Sequence, residues 1–102
     1  MKSLTYQELI NKSEGRTVLI AFTASWSGSS QLLINMLELI SEDLEAVTIG
    51  EIDVEEEESL VSNLGIAQVP TTLIVRERVV IDLFTGPVSR KQIMRKIGVL
   101  QK

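Results

Sequence analysis

Thr17-Val18-Leu19-Ile20-Ala21-Phe22-Thr23 runs through Ala24-Ser25-Trp26-Ser27-Gly28-Ser29-Ser30 into a long segment that ends near Leu44. The first seven residues are a continuous apolar, partly β-branched run, which predicts a strand buried on both faces in a sheet covered by helices. Past the short polar break, Leu33, Met36, Leu37, Ile40 and Leu44 recur at helical spacing, with Ser41, Glu42 and Asp43 on the polar side. That pattern predicts the longest helix of the chain, Ser29 to Leu44. Leu32, Ile34 and Leu39 fall outside the stripe and give this helix more apolar surface than one packed face needs. They mark a surface on which a homodimer would form.

On the N-terminal side of that stretch, Thr5-Tyr6-Gln7-Glu8 has capping-box spacing and predicts a short helix from Thr5 to Lys12, stopped by Ser13-Glu14-Gly15. On the C-terminal side, Ala46 to Val54 alternates as a second strand. The acidic run Glu55 to Glu58 reads as the opening of a helix through Leu64, ended by Gly65, because a helix dipole tolerates negative charge there. A solvated helix start explains the run without a cation site. Thr71 to Val75 and Val79 to Phe84, separated only by Arg76-Glu77-Arg78, predict an antiparallel hairpin, and Gly86-Pro87 breaks its second strand. Ser89 and Gln92 form another capping box, and Ile93, Met94, Ile97 and Leu100 give a closing helix its apolar face.

The resulting order is helix, strand, helix, strand, helix, strand, strand, helix, with no repeat or linker. Residues 1–102 therefore read as one α/β domain with a mixed sheet between helical layers. A length of 102 residues supports one core and is too short for two. A net charge of −4 gives phosphates no overall attraction, so no nucleic-acid partner is expected. No stretch reaches bilayer length and no signal-peptide pattern is present, which leads us to expect a cytoplasmic protein without a membrane role. The chain contains no cysteine and no histidine. That removes thiolate nucleophiles, disulfides, zinc-thiolate sites and serine-histidine pairs, and neither a metal nor a cofactor is expected.

The segment from Val18 to Ser30, with Trp26-Ser27-Gly28-Ser29-Ser30 at its end, resembles the strand, Trp-Cys-Gly-Pro-Cys motif and helix of the thioredoxin family. Val69-Pro70-Thr71 resembles the family's cis-proline loop, Thr71 to Gly86 its last hairpin, and Gly86 the glycine beside its active site. The likeness spans nearly the whole chain, with a first strand shortened or missing at Met1 to Leu4. It implies a thioredoxin fold with a central mixed sheet of four strands, or five if Met1 to Leu4 adds one. It also implies that the family's protein-disulfide reductase chemistry, with its part in cell redox homeostasis, is absent as the chain stands. Ser27 and Ser30 occupy the positions of the attacking and resolving cysteines, and a serine hydroxyl neither ionises appreciably at neutral pH nor forms an S–S bond.

Other departures surround these two. Ser29 replaces the central proline of the motif, and Ala21 stands where many members bury an aspartate. Asn35 replaces a helix-kinking proline, which predicts a straighter helix. Arg76-Glu77-Arg78 replaces the usual Asn-Gly type of turn, so the hairpin turn is expected to differ. The serines fit either natural divergence or a deliberate Cys→Ser replacement in a thiol-disulfide oxidoreductase. The changes at Ala21 and Ser29 favour divergence.

With no histidine available, Ser27 and Ser30 have no evident base, and hydrolysis is disfavoured. Their plain role is structural: Ser27 ends a loop, and Ser29 or Ser30 caps the long helix. The resemblance implies a surviving groove for an extended polypeptide segment of a protein partner, made by Trp26, Ser27, Gly28, Ser29, Val69, Pro70 and Gly86. Such a segment pairs with backbone and needs no cysteine. Arg90, Lys91, Arg95 and Lys96 on the last helix read as a solvated face.

Overall fold

The structure is a computed structural model and describes residues 4–100, with the side chains of 99 and 100 excepted. The expected extra strand at Met1 to Leu4 and the core role of Leu100 therefore fall at least partly outside the described residues. The elements are α1 (Tyr6–Lys12), β1 (Thr17–Thr23), α2 (Gly28–Asp43), β2 (Val47–Asp53), α3 (Glu58–Leu64), β3 (Thr71–Arg76), β4 (Val79–Thr85) and α4 (Arg90–Leu100). They form a four-stranded sheet in the order β2-β1-β3-β4. β1 pairs parallel with β2 and antiparallel with β3, and β4 closes a hairpin at the edge. The architecture is the thioredoxin fold.

All seven residues of β1 are buried, because the strand is central in the sheet and helices cover both faces. On one face Leu19, Ala21, Ile49 and Ile74 pack against α2 and α4 through residues such as Leu37, Ile40, Ile93 and Ile97. On the other, Val18, Ile20, Phe22 and Leu73 pack against Leu9 of α1 and half-buried Leu60 and Leu64 of α3. Gly50 of β2 lets α1 come this close. A Cβ there would sit 2.5 Å from Leu9 Cδ1.

Both capping boxes form. Thr5 Oγ1 accepts from the Glu8 N–H while the Glu8 carboxylate accepts from the Thr5 N–H. Ser89 and Gln92 exchange the same pair of bonds before α4. Gly65 ends α3 in the left-handed conformation, at φ 72°.

Four expectations are corrected. First, α2 begins at Gly28 and its cap is Ser27, not Ser29 or Ser30. Second, Glu55 to Glu57 precede α3 rather than opening it. Asp53 captures the chain first: its side chain accepts from the Glu55 N–H at 2.7 Å, and its carbonyl accepts from the Glu56 and Glu57 N–H groups. The result is an acidic turn with only Glu58 in the helix.

Third, the hairpin turn keeps positive φ at both central residues, Glu77 at 51° and Arg78 at 66°, although neither is glycine. The loop after α1 holds it in place. The Ser13 carbonyl accepts from the Glu77 N–H at 2.8 Å, Ser13 Oγ accepts from the Arg78 N–H at 2.8 Å, and Glu77 Oε1 accepts from the Gly15 N–H at 2.9 Å. These bonds, with the Arg78–Glu14 ion pair, offset the steric cost of left-handed backbone. Fourth, Ile34 is buried at 6% exposure within the α2 side of the core, while Leu32 and Leu39 are exposed at 72% and 56%. The surface expected from Leu32, Ile34 and Leu39 thus loses its middle member, because α2 rests on both the sheet and α4 and buries a wider arc than one stripe.

Candidate functional site

The site lies where β1 ends, beside the loop before β3. After Thr23 the chain turns through Ala24-Ser25-Trp26, and the Ser27 N–H donates to the Ala24 carbonyl at 3.1 Å. Ser27 adopts extended backbone, and its Oγ accepts from the Ser30 N–H at 3.2 Å, which satisfies one of the free amides at the start of α2. Ser30 is buried at 3% exposure, with its Oγ 3.4 Å from the Ala24 N–H. Both hydroxyls therefore serve the local fold. Gly28 and Ser29 lie exposed between them.

Thr23, Ser25, Ser27, Ser30, Glu51 and Asp53 share a polar hollow of about 240 Å³. Thr23 Oγ1 donates to Glu51 at 2.7 Å. No lysine lines this hollow, so neither serine has a lysine base beside it. Ala21, fully buried, stands between Glu51 and Thr72 in the sheet register. Ala21 itself carries no carboxyl, while Glu51 and Asp53 line the hollow that holds Ser27 and Ser30, and among the described residues Thr72 Oγ1 next to Ala21 is buried without a hydrogen-bond partner. Among the described residues, no group of acidic side chains is arranged to hold a metal ion.

Trp26 is exposed at 69%. It forms one wall of an open hollow of about 450 Å³, with Val54, Val61, Ile66, Gln68 and Val69 opposite. The Val69–Pro70 peptide is cis, and Pro70 is buried with its carbonyl accepting from the Gly86 N–H at 2.7 Å. That bond ties the end of β4 to the loop. Gly86 sits at φ 75°, and a Cβ there would come within 3.2 Å of the Gln68 amide, so glycine meets both the backbone and the space requirement. Among the described residues, the Val69 N–H and C=O make no hydrogen bond.

The structure thus brings Trp26 and Val69 to one hollow and Ser27 and Ser30 to the next. Ser29 faces a third, of about 220 Å³, together with Leu32, Met36, Pro87 and Val88. Sequence reasoning did not find Val54, Val61, Ile66 and Gln68. They come from three separate segments, and no local pattern relates them. The one available signal was Ile52 and Val54 at the end of the expected second strand, which the sequence carried through Val54 and the structure ends at Asp53.

Comparison with known proteins gives a consistent result. The Thioredoxin family model matches residues 1–98. A thioredoxin from Chlorobaculum thiosulfatiphilum is 31% identical over 83 residues, covering 80% of this chain and 77% of that protein. The chloroplastic thioredoxin Y2 of Arabidopsis thaliana is 29% identical over 94 residues, covering 91% of this chain, and the chain spans only 56% of that relative's length. A mutant thioredoxin from Halobacterium salinarum superposes with a TM-score of 0.84 at 24% identity, covering 95% of this chain and 86% of that one. Fasciola hepatica thioredoxin gives 0.80 at 22%, covering 90% and 88%. At these identities the structural likeness speaks to the fold.

Proposed function

The chain belongs to the thioredoxin family, and from that premise we propose that it works as a non-redox module that binds an extended segment of a protein partner. One observation carries the reading: an exposed Trp26 walls an apolar hollow whose far side is the Val69 peptide, with its donor and acceptor both unused. An apolar pocket supplies burial and the free peptide groups supply strand-like pairing, a combination suited to extended polypeptide. Thiol chemistry plays no part, since Ser27 and Ser30 are the only candidates at the redox positions and their hydroxyls are engaged in capping and turn contacts. A cytoplasmic location belongs to the same proposal, and fractionation of cells expressing the tagged chain tests it.

A second reading is favoured by the nature of the relatives: an oxidoreductase carried here with serine for cysteine. The discriminating experiment is an insulin-reduction assay on this chain and on its Ser27→Cys, Ser30→Cys double variant. Under the binding-module reading, the folded double variant stays inactive, because Ala21 supplies no proton-transfer group and Ser29 alters the loop. Restored turnover would support the oxidoreductase reading instead. Binding itself is tested by amide shift mapping with carboxymethylated insulin B chain as an unfolded, thiol-blocked probe. Shifts centred on Trp26, Val69 and Gly86 are expected, and shifts confined to another surface would overturn the groove.

A further inference from the structure

The acidic turn Glu55 to Glu57 directly follows Val54, a lining residue of the Trp26 hollow. Val54, which lines the hollow, lies between Asp53 and Glu55. Ser25, adjacent to Trp26, donates from its Oγ to Glu55 Oε1 at 3.3 Å, which links the turn to the loop carrying the tryptophan. The next hollow along the edge is walled by Glu51, Asp53, Glu56 and Glu57 together with Leu4. The two hollows thus adjoin along the chain where Asp53 of one meets Val54 of the other.

Among the described residues, no cationic side chain pairs with these carboxylates, nor with Glu55 or Glu58; the ion pairs present use Glu14, Glu77, Asp43 and Asp82. Among the described residues, no lysine or arginine lines either hollow. Arg16, Arg76 and Arg78 gather at the Thr17 end of the sheet, and Thr17 is six residues along β1 from Thr23, the register partner of Asp53. At about 3.3 Å per residue the separation is roughly 20 Å. The Debye length at physiological ionic strength is about 8 Å, so those cations do not offset the acidic turn. Arg90, Lys91, Arg95 and Lys96 are carried on α4.

From this juxtaposition we propose that the occupant of the groove is a basic-apolar segment. An extended stretch would place an aliphatic or aromatic side chain in the Trp26 hollow and a lysine or arginine, within two or three positions of it, against the Asp53 to Glu57 turn. The proposal rests on the groove reading above and adds the charge of the partner. Opposite charge at the acidic turn speeds encounter and rejects acidic segments, while the apolar hollow supplies most of the contact area.

The test uses the full chain and the emission of Trp26, its sole tryptophan. Three thiol-free nonapeptides share a central leucine and differ at the two positions flanking it at a distance of two: lysine, glutamine or glutamate. The expected result, at low ionic strength, is that the lysine peptide binds on the order of fivefold tighter than the glutamine peptide, with the glutamate peptide weakest. The preference should collapse in 0.5 M sodium chloride. It should also be lost in a Glu55→Gln, Glu56→Gln, Glu57→Gln variant, whose exposed amides keep the shape of the turn and whose fold is checked by circular dichroism.

Equal affinities for the three peptides, with Trp26 responding to each, would overturn the basic preference and leave the groove standing. Retention of the preference by the triple variant would remove the acidic turn as its source and overturn the proposal. No response from Trp26 or from the amide spectrum to any peptide would overturn both the groove and this inference.

Discussion

Ser27 shows how one residue can lose the family's chemistry and keep a structural task. Its Oγ accepts from the Ser30 N–H, so it occupies the cap position that sequence reasoning had assigned to Ser29 or Ser30. The misplacement has a simple origin: four polar or small residues in a row, Ser27 to Ser30, offer several acceptable caps. Backbone geometry alone decides among them. Ser27→Ala should destabilise the fold by about 1 kcal/mol, with most of the loss recovered in Ser27→Asn, as read from urea unfolding midpoints. A Ser27→Ala protein as stable as the parent would mean that water serves the Ser30 amide equally well. The Thr72 hydroxyl, buried and unpartnered beside Ala21, was not legible in the sequence, because it depends on which residue of β1 faces it across the sheet.

At the scale of elements, the β3–β4 hairpin depends on a loop more than sixty residues earlier. Ser13 is fully buried, donates to the Ile10 carbonyl, and accepts the Arg78 N–H of the turn. In Ser13→Ala that amide loses its partner in strained backbone, and a loss of about 1–3 kcal/mol is expected from denaturant titration. Arg78→Ala, which keeps the backbone bond, should cost less. The hairpin is also fastened to α4. Asp82 of β4 meets Lys96 at 3.0 Å, and that hydrogen bond holds the Asp82 carboxyl below its ordinary value of 3.8.

For a lowered carboxyl, the stabilisation is complete above the ordinary value and fades as pH falls through the lowered one. The stability difference between the parent and Asp82→Asn should therefore be constant from neutrality to about pH 5 and shrink progressively below pH 4. A difference that is flat down to pH 2 would show that the contact does not bind protons differently on unfolding. The acidic turn belongs to this scale too. The run of four glutamates read as a helix start, yet Asp53 bends three of them into a turn ahead of the helix.

At the scale of the whole molecule, burial is graded across the sheet. β1 is buried at every position, whereas edge strand β4 exposes Val79, Val80, Ile81 and Leu83, with a register irregularity opposite Ile74 and Val75. Amide exchange should accordingly be slowest in β1 and fastest, among the strands, in β4. Equal protection would indicate that β4 is covered in solution. The sequence by itself determined the order of elements, the capping boxes, the fully buried strand and the loss of thiol chemistry. Each depends on residue type or on neighbours within about four positions. Tertiary structure alone decided that Ile34 enters the core, that a glutamate-arginine pair adopts a left-handed turn, and that Val54, Val61, Ile66 and Val69 meet Trp26 beside an acidic turn. Those outcomes depend on contacts between segments tens of residues apart, whose free energy is realised only when the sheet and its helices pack together.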